Sequence, residues 1–135
     1  MLRLEVPIRL PAIAEAQAAI AGWVEGAGIS PAIGYRIALV AEELLANLVM
    51  HGRFAGEAPD ARLMLERSDE GVVLTIEDAA APFDPREAPV PPLPTLEDDR
   101  IGGVGLPLIR KMASALEYGA AGPGWNRTVV VLAGP

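Results

Sequence analysis

The stretch ARLMLERSDEGVVLTIED, residues 61–78, holds two short runs joined by Ser68-Asp69-Glu70. Leu63 and Leu65 in the first run and Val72, Leu74 and Ile76 in the second recur at every other position, the period-two pattern of strands with one buried face. The polar triplet between them reads as the turn of a hairpin over Ala61–Arg67 and Gly71–Asp78. Toward the N-terminus, Leu2, Leu4, Val6 and Ile8 alternate with Arg3, Glu5 and Arg9 as another strand. Pro11 to Ala27 carries Ile13, Ala16, Ile20 and Val24 at helical spacing and ends at Gly26 and Gly28. Ser30-Pro31 supplies an N-cap followed by proline at the first helical position. Ile33, Ile37, Val40, Leu44 and Leu48 then form one stripe of a second helix, which Gly52 stops.

Beyond the hairpin, residues 79–100 contain six prolines, which forbid helix interior and central strand alike, so a loop is expected. A glycine-opened helix is expected from Val104 to about Ala115, followed by strands at Leu116–Ala120 and Arg127–Leu132 around a glycine turn. Strand, two helices, hairpin, loop, helix and hairpin is an order that places helices on one face of a mostly antiparallel sheet. The predicted fold is an α+β two-layer sandwich in one domain, residues 1–135, with a mixed, mostly antiparallel sheet.

Composition narrows the function classes. With 51% hydrophobic and 21% charged residues the chain is too apolar for disorder, yet no run approaches the roughly 20 apolar residues of a membrane span. The interleaved charges of MLRLEVPIRL do not form a secretory signal. The absence of cysteine excludes disulfides and thiolate metal sites and agrees with a cytoplasmic location. A net charge of -7 argues against a nucleic-acid backbone as partner, leaving proteins or small molecules.

Three stretches carry chemistry. In VAEELLANLVMHG, Glu43 and Asn47 stand four residues apart, on one helix face at the rim of the apolar stripe, whereas Glu42 points to solvent. A carboxylate and an amide there can face a cavity, or can be an ordinary helix edge. In LTIEDAAAPFDP, Asp78 ends a strand, where an ionised carboxylate can accept from an amino group such as adenine's or simply start a turn. In IGGVGLPLIRKM, Gly102, Gly103 and Gly105 open a helix, a place that suits a phosphate or merely a tight turn. His51, the one histidine, lies at a helix C-terminus and makes no metal site alone. Arg110 and Lys111 read as a solvated face.

Together, Glu-x-x-x-Asn on a helix, Asp followed by Pro-Phe-Asp-Pro, and Gly-Gly-x-Gly-Leu opening a later helix resemble the Bergerat-fold, histidine-kinase-like ATPases. The likeness is nearest to the stand-alone anti-sigma-factor serine/threonine kinases and covers nearly the whole chain. That resemblance implies ATP and Mg2+ as cofactors, with Asn47 holding the metal and Glu43 acting as general base on the substrate hydroxyl. It implies that Asp78 accepts the adenine amino group with Thr128 in support, that Gly102, Gly103 and Gly105 bind the triphosphate, and that residues 86–101 are a lid. Ala80, Phe83, Val104 and Leu106 fall in the same nucleotide-binding segments. Ala80 is a departure, because relatives carry glycine there.

The implied partners are a small antagonist protein, a sigma factor, and a second copy of the chain, with no nucleic acid and no membrane. The alternative is a catalytically weak, nucleotide-gated binding module, a pseudokinase, and Ala80 is the residue that favours it. A catalytic piece of a two-component histidine kinase is disfavoured, since the chain has no phospho-acceptor helix pair. For the homodimer, the first strand is taken as an edge and Trp23 as an exposed aromatic.

Overall fold

A computed structural model describes residues 1–82 and 105–133. Strand β1 (Leu2–Val6) leads into helix α1 (Leu10–Gly26) and helix α2 (Pro31–His51). Strands β2 (Ala61–Ser68) and β3 (Gly71–Asp78) follow, then helix α3 (Gly105–Met112) and strands β4 (Ala115–Gly122) and β5 (Trp125–Ala133). The five strands form one sheet in the order β1-β2-β3-β5-β4, and all four ladders are antiparallel, so the parallel component expected of a mixed sheet is absent from the described residues. Ser30 caps α2 as its position before Pro31 predicts, its hydroxyl accepting from the Ile33 N–H at 3.3 Å. The hairpin turn is tighter than the Ser68–Glu70 expectation, because Ser68 pairs with Gly71 and only Asp69 and Glu70 remain to turn the chain.

Registration across the sheet sorts its two faces. Leu2, Leu65, Leu74, Val130 and Leu116 lie in one cross-strand row, and Leu4, Leu63, Ile76, Thr128 and Tyr118 in the next. Both rows face the helices, and Leu63, Leu65, Leu74 and Val130 are fully buried there with Ile20 of α1, Ile37 and Val40 of α2 and Ile109 of α3. Helix α3 is tied to the sheet at its exit, where the Ser114 N–H and hydroxyl both donate to the Val131 carbonyl, at 2.8 and 3.0 Å. Trp23 packs against this core and is only partly buried, so it is not the free aromatic the sequence suggested. Strand β1 does form one edge of the sheet.

The opposite face has no helix among the described residues. Across it runs a row of alternating charge, Glu5 beside Arg62 beside Glu77 beside Arg127. Arg127 donates to Glu77 Oε2 through Nε at 3.0 Å and Nη2 at 2.8 Å. Arg62 approaches Glu77 Oε1 at 3.8 Å and lies over the Trp125 ring, 4.3 Å from its centroid. Both arginines are half exposed while Glu77 is buried, so the pairs chiefly keep that carboxylate compensated.

Candidate functional site

Helix α2 lies against β3 and β5, and its phase decides which polar side chains are drawn toward the core and which are left in solvent. Glu42 is exposed, whereas Glu43 and Asn47, one turn apart, are half-buried at the rim of the stripe made by Ile33, Ile37, Val40 and Leu44. Burial raises the Glu43 carboxyl above the usual glutamate range, and the neighbouring Glu42 charge raises it further. A carboxylate so placed is a stronger base than a solvated one.

Strand β3 ends at Asp78, on the helix-facing side and opposite Asn126 of β5. Asp78 is only 7% exposed. Its Oδ1 accepts from the Ala80 N–H at 3.0 Å and from Asn126 Nδ2 at 3.1 Å. Asn126 Nδ2 also donates to the Ala80 carbonyl at 2.7 Å. Desolvation raises the Asp78 carboxyl above the usual aspartate range, and the Asn126 and Ala80 bonds partly oppose this because they favour the charged form. Thr128 is buried on the same face, two residues along β5. The chain leaving β3 is held from the other side by the Ala81 N–H, which donates to the Arg53 carbonyl at 2.7 Å just past the end of α2.

Asp78 and Ala80 are therefore gathered at the end of β3 with Thr128 near by on β5, and Glu43 and Asn47 stand on α2, which packs against both strands. Gly105 and Leu106 are the first two residues of α3. Phe83, Gly102, Gly103, Val104 and the expected lid, 86–101, lie outside the described residues. Asn126 was missed by the sequence reading. Its signal was a polar residue alternating with Thr128, Val130 and Leu132 on the buried face of β5. Two cavities of about 450 and 410 Å³ lie elsewhere, between α1 and α2 and beside the β2–β3 turn, and neither is lined by these residues.

Among the described residues no three of His, Asp and Glu converge as metal ligands. The donor chemistry fits Mg2+ nonetheless, since that ion is commonly held by one or two protein oxygens, phosphates and water, and Asn47 offers an amide oxygen. No described residue other than glycine has a positive φ, so Ala80 occupies backbone that any residue adopts. Ala80→Gly is accordingly expected to lower stability by about 0.4–1 kcal/mol through unfolded-state entropy, without tightening ATP binding. Melting curves and nucleotide titration read the two effects separately, and tighter binding at unchanged stability would show that the Ala80 methyl crowds the base.

These features define an α+β sandwich with an acid–amide pair on one helix and a buried aspartate at a strand end. Residues 6–132 match the histidine kinase-like ATPase domain, and the chain belongs to that family. It is 35% identical over 109 residues to the serine/threonine-protein kinase BtrW of Bordetella bronchiseptica, an alignment covering 77% of this chain and 76% of that protein. A chain of the SiaB–SiaC complex from Pseudomonas aeruginosa has the same fold, with a TM-score of 0.60 at 16% identity over 96% of this chain and 88% of that one.

Proposed function

We propose that this protein is an ATP-dependent serine/threonine kinase of the anti-sigma-factor type that phosphorylates a small antagonist protein. The observation that carries the reading is the half-buried Glu43, its carboxyl raised by burial and by Glu42, one turn from Asn47 on the helix that packs against β3 and β5. Glu43 takes the proton of the substrate Ser or Thr hydroxyl as that oxygen bonds to the γ-phosphorus of ATP. The bond from that phosphorus to the β–γ bridging oxygen breaks, and ADP leaves with the electron pair. Mg2+ held through Asn47 supplies charge neutralisation at the phosphates. Asp78 accepts the adenine amino group through Oδ2, since its hydrogen bonds from Asn126 and Ala80, among the described residues, fall on Oδ1. Backbone N–H groups of the glycine segment and the N-terminus of α3 take the triphosphate.

The relative's name as a serine/threonine-protein kinase supports the hydroxyl acceptor. The SiaB–SiaC neighbour is itself a complex of two proteins, which is compatible with a protein substrate. A homodimer using the β1 edge and a cytoplasmic setting belong to the same proposal. No helix among the described residues is long and apolar enough to cross a membrane.

Titration calorimetry with ATP or ADP and Mg2+ tests the nucleotide half. Absence of heat at millimolar nucleotide would reject the reading. Labelled ATP with candidate antagonists tests transfer, and binding without transfer to any of them would favour the pseudokinase. Light scattering at micromolar protein checks the dimer, which a monomer mass would refute.

A further inference from the structure

Asn126 is buried, 7% exposed, and spends both hydrogens of its amide within the site. Nδ2 meets a carboxylate oxygen at 3.1 Å and a carbonyl oxygen at 2.7 Å, and only an NH2 group satisfies two acceptors, so the orientation of the amide is unambiguous. The bond to Asp78 spans directly registered partners of β3 and β5, on the face the helices cover. The bond to Ala80 reaches past the end of β3 into the segment leaving the sheet. With the Ala80 N–H returning to Asp78 Oδ1 at 3.0 Å, the three residues close a ring.

That ring restricts the carboxylate. Rotating Asp78 about its terminal bond would exchange its two oxygens, but Oδ1 holds two N–H bonds and Oδ2 neither, so rotation breaks both at once. An unheld side chain would instead have to be ordered each time a base arrived, at a cost in affinity. Ala80 and Ala81 are fixed by the same arrangement, between Asn126 on one side and the Arg53 carbonyl on the other.

We propose that Asn126 is a positioning residue for nucleobase selection: it locks Asp78 so that one carboxylate oxygen is presented to the exocyclic amino group of a 6-aminopurine. The inference rests on the assignment of Asp78 as the adenine acceptor made above. It adds a residue to the site and gives it a measurable consequence, discrimination between 6-amino and 6-oxo purines. Both hydrogens of the Asn126 amide are spent on Asp78 and Ala80, so its influence on the base is exerted through Asp78.

The test compares Mg-ATP and Mg-GTP dissociation constants for the wild type, Asn126→Ala, Asn126→Ser and Asp78→Asn, with a melting curve for each. Asn126→Ala is expected to reduce the ATP-over-GTP preference roughly tenfold, the factor that loss of one bond to a charged group entails. Asn126→Ser, which keeps one donor, is expected to fall between it and the wild type. A purely structural Asn126 would lower the melting temperature and weaken both nucleotides by the same factor, which would overturn the proposal. Should Asn126→Ala fail to fold, Asn126→Ser decides alone, and an unchanged preference there refutes it. If the wild type shows no preference for ATP, the assignment of Asp78 fails and takes this inference with it. A preference that Asp78→Asn abolishes but both Asn126 variants retain would sink this inference only.

Discussion

Glu43→Gln is expected to lower phosphoryl transfer by about 10²–10⁴-fold, the usual consequence of losing a general base, while leaving ATP bound. The glutamine keeps the length and polarity of the side chain at a half-buried helix rim, so melting should change little. Glu42→Gln, at the exposed neighbour, supplies the contrast. Glu43 works as a base only when ionised, and its carboxyl is raised first by burial and then by Glu42. Transfer should therefore fall as the pH drops through a value above the ordinary glutamate range. Removing the Glu42 charge should move that limb toward lower pH without abolishing turnover. A single-turnover assay over pH measures both. If Glu42→Gln were the dead variant and Glu43→Gln the active one, the base would stand on the wrong side of the helix.

Asp78→Asn is expected to weaken ATP roughly 10–100-fold and to weaken GTP far less, as loss of a hydrogen bond to a charged group implies. The amide oxygen can take the place of Oδ1 and keep the bonds from Asn126 and Ala80. An NH2 group then stands where Oδ2 was, donating toward an amino group it cannot pair with but toward a 6-oxo group it can. Stability should respond in the opposite sense. Because the folded protein raises the Asp78 carboxyl, the protonated form is favoured by the fold. Its contribution to stability is complete below the unfolded aspartate value and is lost as pH rises through the raised folded value. Asp78→Asn has no such charge to bury and should gain stability relative to the wild type as pH increases across that window. Urea titrations at several pH values measure it, and a difference between the two proteins that did not vary with pH would show that the fold does not raise the Asp78 carboxyl.

Much of the architecture was legible because local signals carried it. The alternation of residues 61–78, the Ser30-Pro31 opening of α2 and the stripe from Ile33 to Leu44 are each decided within a few residues of chain, and each appears where expected. The separation of Glu42 from Glu43 followed from helix geometry alone. What was not legible depends on partners far along the chain. Asn126 resembles part of a glycine turn until β5 is laid beside β3, when it falls opposite Asp78, 48 residues away. Trp23 sits among alanines and glycines, which suggests exposure, but the packing of α1 on α2 and β1 gives its ring a place against the core. The backbone angle of Ala80 was not legible either, because position in the sequence does not reveal it.

Assembly of the sheet must bring together strands whose paired residues Glu77 and Arg127 lie 50 positions apart, without the short turn that guides β2 onto β3. A slip of one residue exposes the buried face of β5 and is penalised at once by its hydrophobic pattern. A slip of two preserves the faces, and Val129, Val130, Val131 and Leu132 are similar enough to tolerate it. The row of charge on the open face detects that error. In either direction it sets Glu77 against Val129 or Trp125 and strips the carboxylate of Arg127. An ion pair that compensates a buried carboxylate thus acts as an alignment mark, and the same alignment delivers Asn126 to Asp78 on the other side of the sheet.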